Sequence, residues 1–167
     1  VLVPTGPVDP TWRGGQVFDD SAWLSGTGGV GFDRSSGYGA YLGTNVRILM
    51  HGRNASCLVR IPFQVSAATR AGISHLVFRV RCDDGFVAYL NGVEIARSAS
   101  MSEAGVPPAF GATARANREA RGSPDTFALR THLHLLRPAP TINILALQVH
   151  NIALDSSDLS LRPRLVQ

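Results

Sequence analysis

Two adjacent carboxylates, Asp83 and Asp84, head the stretch DDGFVAYLNG (residues 83–92) and are the first candidates for chemistry. Neighbouring carboxylates can serve as acid and base, or as oxygen ligands for calcium or contacts for hydroxyl groups. On an extended chain, however, consecutive side chains leave on opposite faces, so this pair does not converge on one atom. The structural alternative is a bend whose Asp side chains accept from nearby backbone N–H groups. His132 and His134 stand two apart in RTHLHLLRP, which on a strand puts both rings on one face. No third ligand accompanies them, so a polar strand face is expected rather than a metal centre. His150 and Asn151, followed by DSSD at residues 155–158, gather short polar side chains at the end of an apolar run. Such a cluster is either a ligand site on a rigid scaffold or a loop held by Asx and Ser turns. Trp12, Trp23, Phe32, Tyr38 and Tyr41 all fall in the glycine-rich first quarter, where rings either form a platform for a sugar face or plug the end of a core.

These residues must be positioned by short strands. SHLVFRVRC alternates, with Leu76, Phe78, Val80 and Cys82 on one face and Val77, Arg79 and Arg81 on the other, the pattern of a half-buried antiparallel strand. FVAYL and VEIAR flank Asn91-Gly92, and because both turn positions need positive φ, residues 86–97 are expected to form a hairpin. TINILALQVH (141–150) is apolar on both faces and is expected at the centre of a sheet. DLSLRPRLV is a further strand. Residues 98–125, rich in Ala, Gly, Pro, Ser and Arg, are expected to be a long connection, mobile in part. In FDDSAW, Asp20 or Ser21 is expected to cap a short helical turn flanked by Phe18 and Trp23. Short strands, a hairpin and almost no helical periodicity indicate an all-β fold, an antiparallel β-sandwich.

At 167 residues the chain suits a single domain and can bury a sizeable core. It is 44% hydrophobic and 17% charged, on the globular side of the boundary with disorder. The net charge of +4 comes from sixteen arginines and no lysine, set singly along the chain. Nucleic acid is therefore not an expected partner, since tracking a phosphate backbone needs clustered charge. No apolar run approaches the ~20 residues of a membrane span. The abrupt start at VLVPTGPVDP suggests a module cut from a longer polypeptide. Cys57 and Cys82 lie on the apolar parity of two strands and so can meet in the core, as a disulfide or as two buried thiols. No nucleophile elbow, phosphate loop, His-Glu-x-x-His or dinucleotide fingerprint occurs, and no catalytic or metal-ligating residue is assigned. Asn54-Ala55-Ser56 matches a glycosylation acceptor, a pattern common by chance.

Taken in order, FDDSAWLSGTGGVGF, CLVRIPFQV, LVFRVRCDDGFVAYLNGVEIAR, INILALQVHN and SSDLSLRPRL resemble the galactose-binding-like jelly-roll domains. Those domains accompany secreted bacterial, planctomycete-type multidomain proteins and include the sugar-binding domains of β-galactosidases. The resemblance covers most of the chain, and residues 98–130 are its weak part. Two departures stand out: RPAPTIN replaces the usual Pro-Gly-Glu-Asn turn, and Cys82 stands where an aromatic is frequent. The resemblance implies a jelly roll with carbohydrate-binding ancestry, secretion, neighbouring domains in the same polypeptide and no catalysis of its own. The expectation is thus a carbohydrate-binding module whose loops at one end of the sandwich hold a glycan. Asp83, Asp84, His150, Asn151 and Asp158 would orient hydroxyls, with Tyr38 or Tyr41 beneath the ring. No cofactor is expected; a structural calcium ion is the open alternative, although no dedicated calcium loop is present. The competing expectation is a structural module that docks on a neighbouring catalytic domain and binds no free ligand.

Overall fold

The computed structural model describes residues 1–34 and 37–167, so Ser35 and Ser36 of the glycine-rich stretch lie outside the described residues. The strands are β1 (Val30–Asp33), β2 (Thr44–Asn45), β3 (Ser56–Phe63), β4 (Val77–Asp83), β5 (Gly85–Leu90), β6 (Val93–Arg97), β7 (Asp125–Ala128), β8 (Asn143–His150) and β9 (Asp158–Val166). They form a five-stranded sheet in the order β2-β1-β9-β4-β7 and a four-stranded sheet in the order β3-β8-β5-β6. Every pairing is antiparallel except β1 with β2. The chain passes repeatedly from one sheet to the other, the alternation that a sandwich of jelly-roll type requires. Two short helices, α1 (Arg47–Met50) and α2 (Ala67–Gly72), lie in the connections. Among the described residues, no helix is long and apolar enough to cross a membrane.

Side-chain parity explains the layers. On β4, Phe78, Val80 and Cys82 face inward, and on β9 Leu159 and Leu161 join them; opposite stand Cys57 and Val59 of β3, Phe86, Ala88 and Leu90 of β5, and Leu145, Leu147 and Val149 of β8. The other parity of the four-stranded sheet is apolar as well. Leu58, Val87, Tyr89 and Ala146 are buried beneath Trp12 and Met101, with Phe18 and Trp23 packed beside them. This outer layer is why β8 reads as apolar on both faces: the N-terminal segment lies over it. Arg60 fastens that segment, with Nε 2.6 Å from Asp20 Oδ2, an NH1 bond to the Trp12 carbonyl and its guanidinium 5.1 Å above the Phe18 ring.

The hairpin turns at Asn91 and Gly92, both at positive φ (50° and 91°), as the sequence predicts. Pro163 of β9 is tolerated because β1 pairs only with residues 158–161, so the missing N–H falls where β9 has no neighbour on that side. Cys57 and Cys82 are buried free thiols.

Two local expectations are corrected. His132 and His134 lie on a 3-10 turn (Arg130–Leu135), not on a strand, because Leu129, Leu133 and Leu136 supply the turn's inward contacts. The FDDSAW turn is held by Asp19, whose Oδ1 accepts from Ser21 N at 3.0 Å; Asp20 is drawn instead to Arg60. Residues 98–124 form the long connection without regular structure that the sequence predicts, and Ser98, Ser100, Met101, Ala114 and Ala120 pin parts of it to the sandwich.

Candidate functional site

The turn between β4 and β5 divides the two acids by parity, as expected, and gives them different tasks. Asp84 is 1% exposed and accepts two backbone bonds, from Arg118 N at 2.9 Å and Ile152 N at 2.7 Å. Charge-assisted bonds of this kind contribute about 1.5–3 kcal/mol each. They hold the 98–124 connection and the loop after β8 to the end of the sheet. Burial pushes the Asp84 carboxyl above its ordinary range, and the two N–H donors oppose that shift.

His150 and Gln148 continue the anchoring on the outward parity of β8. His150 Nδ1 lies 2.6 Å from the Ala112 carbonyl, which can only accept, so the proton sits on Nδ1. Burial lowers the ring to about 4, leaving it neutral. Gln148 Nε2 donates to the Ala109 carbonyl at 3.0 Å, and the Asn151 carbonyl accepts from Ala114 N at 2.9 Å. Gly85 permits the close approach: a Cβ there would stand 2.6 Å from Met101 Sδ. Asp84, His150 and Asn151 are therefore buried beneath one loop.

Asp83, Asp158 and Tyr38 gather at a second place, on the outer face of the five-stranded sheet. Asp83 ends β4 directly opposite Ser160 of β9, and Asp158, two residues earlier on β9, shares that parity. Carboxylate oxygens of Asp83, Asp158 and Glu119 lie within 4.8 Å of one another. The Tyr38 hydroxyl donates to Glu119 Oε2 at 2.8 Å and accepts from Ala120 N at 3.0 Å. Tyr38 is buried and burial raises its hydroxyl to about 12, so its ring offers no open platform. Asp83 is pushed up to about 8 by burial first and then by Asp158, Asp84 and Glu119, with Tyr38 opposing. Tyr41 stands apart, 54% exposed, with the Arg162 guanidinium 4.1 Å from its ring centre.

Between the edges of the two sheets, beside β6 and β7, opens a cleft of about 460 Å³. Its walls include Arg97, Ser98, Ser100, Arg118, Asp125 and Phe127. Arg97 makes a two-pronged pair with Glu94 (2.7 Å and 2.7 Å), and Arg118 is paired with Asp125. The Ser98 and Ser100 hydroxyls bond each other at 2.8 Å, and Ser100 donates to the Asp84 carbonyl. Phe127 packs against Phe78 and Phe86, with ring centres 6.0 Å apart in each case. Sequence reasoning missed Glu119, Arg118 and Asp125. Arg118 and Glu119 lie in the irregular connection, where nothing in the local pattern marks them, and long-range bonds alone bring them to the sheet end.

The fold and these two places define a β-sandwich with a cleft of mixed polar and apolar lining beside β6 and β7 and a cluster of three carboxylates at the ends of β4 and β9. No protein-family model and no curated protein sequence matches the chain. Among solved structures it is similar to Bacteroides uniformis β-glucuronidase, at 13% identity and a TM-score of 0.48 over 96% of this chain and 16% of that one. It is also similar to Bacteroides uniformis β-glucuronidase 2 covalently bound to cyclophellitol-6-carboxylate aziridine, at 12% identity and a TM-score of 0.46, covering 95% and 16%. Ruminococcus gnavus β-glucuronidase matches at 15% identity and a TM-score of 0.36, covering 59% and 12%. The chain spans only 12–16% of the length of these structures.

Proposed function

We propose that this chain is a non-catalytic module of the carbohydrate-binding type within a secreted multidomain protein, taking a saccharide in the cleft between β6 and β7. One observation carries the proposal: the cleft joins hydroxyl, guanidinium and carboxylate groups to the edge of a half-buried phenyl ring. Saccharides present alternating hydroxyls and C–H faces, which require that mixture of directed polar groups and apolar surface. The Arg97–Glu94 and Arg118–Asp125 pairs hold the polar groups in place beforehand, which lowers the ordering cost of binding. In this reading Asp84, His150 and Asn151 support the cleft wall, because they fix the connection that carries Arg118. Affinity electrophoresis against neutral and acidic polysaccharides is the test. Retention is expected, weakened about tenfold or more by Arg118→Ala, a loss of about 1.4 kcal/mol. A folded sample that no polysaccharide retards would overturn it.

A docking module is the second reading, favoured by the exposure of Ile48 (81%) and of its neighbour Leu49 on α1. It requires no free glycan, and Ile48→Asp would then loosen the chain from an adjoining domain of the same polypeptide.

A further inference from the structure

We infer that Asp83, Asp158 and Glu119 bind a hard divalent cation of the calcium type, which fastens the 98–124 connection to the ends of β4 and β9. Three carboxylates from three separate elements each bring an oxygen within 4.8 Å of the others. Oxygens around a calcium ion, at bond lengths of about 2.3–2.6 Å, lie no more than roughly 5 Å apart, so the spacing fits a shared ion.

A second observation is independent of the acids' proximity. Asp83 Oδ2 is buried and meets no donor, and neither does the Oγ of Ser160, the fully buried residue paired with Asp83 on the same face. Burying a carboxylate oxygen without a partner is costly, and two further carboxylates beside it raise that cost through repulsion. The Tyr38 hydroxyl relieves it only in part, since its short bond, 2.8 Å, goes to Glu119 Oε2. Arg121 does not relieve it: its side chain is 73% exposed, with Nε 3.7 Å from Glu119 Oε2 on the solvent side. A cation with oxygen preference answers all three carboxylates at once, and the half-exposed Glu119 leaves a route for it to enter.

Asp158, Glu119 and Tyr38 surround Asp83, Asp84 follows it on the opposite parity, and Asp33, paired with Asp158 across β1 and β9, lies on the same face as Asp158.

The test is thermal unfolding of the intact chain after chelator treatment, with calcium or magnesium added at pH 7.5 and at pH 9, together with calorimetric titration. Calcium is expected to bind at one site and to raise Tm by roughly 5–10 °C once it exceeds its dissociation constant about 100-fold. Glu119→Gln, on the exposed loop, is expected to shift the calcium midpoint upward about tenfold or more, and Asp83→Asn to do the same where it folds. No Tm response to up to about 10 mM calcium at either pH would overturn the inference, since calcium sites run from nanomolar to millimolar. A response left unchanged by Glu119→Gln would put the ion elsewhere and overturn it equally.

Discussion

Asp83, at the end of β4, and His150, at the end of β8, are both buried, and they titrate in opposite senses. From about 4 to about 8 the folded chain keeps a proton on Asp83 that the unfolded chain has released, so stability falls as pH rises through that window. Asp84, also held above the ordinary carboxylate range by burial, adds to the same slope. His150 runs the other way. Its folded value is about 4 against 6.5 when unfolded, so stability falls as pH drops from 6.5 towards 4, when the unfolded chain gains a proton that the buried ring refuses. Below 6.5 His150 opposes the two acids; above it His150 no longer contributes and the Asp83 slope remains. In chelator-containing buffer, urea midpoints should therefore decline more steeply from 6.5 to 8 than from about 4.5 to 6.5. Asp83→Asn should remove the upper decline and leave a rise with pH below 6.5. A parent chain that gains stability between 7 and 8.5 would contradict the assignment of Asp83.

At the scale of elements, the Asn-Gly turn is more than a hairpin end. Asn91 is buried and donates through Nδ2 to the Leu135 carbonyl and to Asn143 Oδ1, both at 2.8 Å, while its Oδ1 accepts from Ile144 N at 2.8 Å. The turn thus ties β5 and β6 to the start of β8 and to the 3-10 turn before it. Gly92 combines φ of 91° with a tight neighbour, since a Cβ would stand 2.6 Å from the Gly14 carbonyl oxygen. Gly92→Ala should cost about 1–3 kcal/mol from the left-handed backbone alone, with further loss from the clash. Asn91→Gly keeps the backbone freedom and removes the three bonds, so its cost, about 2–4 kcal/mol, isolates the side chain. Equilibrium urea unfolding of the two variants measures both. The hairpin was legible in the sequence because its signal is local. The bonds from Asn91 to Leu135 and Asn143 were not, because they join residues 44 and 52 positions away.

The whole sandwich encloses its cysteines. Cys57 comes from one sheet and Cys82 from the other; burial holds the Cys57 thiol up at about 12 and Cys82 well above its ordinary range. Thiolate is the reactive form, so the native chain should resist a thiol reagent at pH 8, and both residues should react once denaturant opens the core. Rapid labelling without denaturant would mean that the two sheets separate readily.

Strand parity alone placed Phe78, Val80 and Cys82 inside, put the β8 strand between two partners and opened the Asn-Gly bend, because each of these depends on residues one to four positions apart. The sequence also marked Asp83, Asp84, His150 and Asp158 as polar groups at strand ends. Only the tertiary structure separated them, sending Asp84 and His150 to anchor a loop and Asp83 and Asp158 to Glu119. The reason is physical: which side chains meet across a sandwich depends on strand order and on the path of a 27-residue irregular connection (residues 98–124), and neither leaves a periodic trace in the chain.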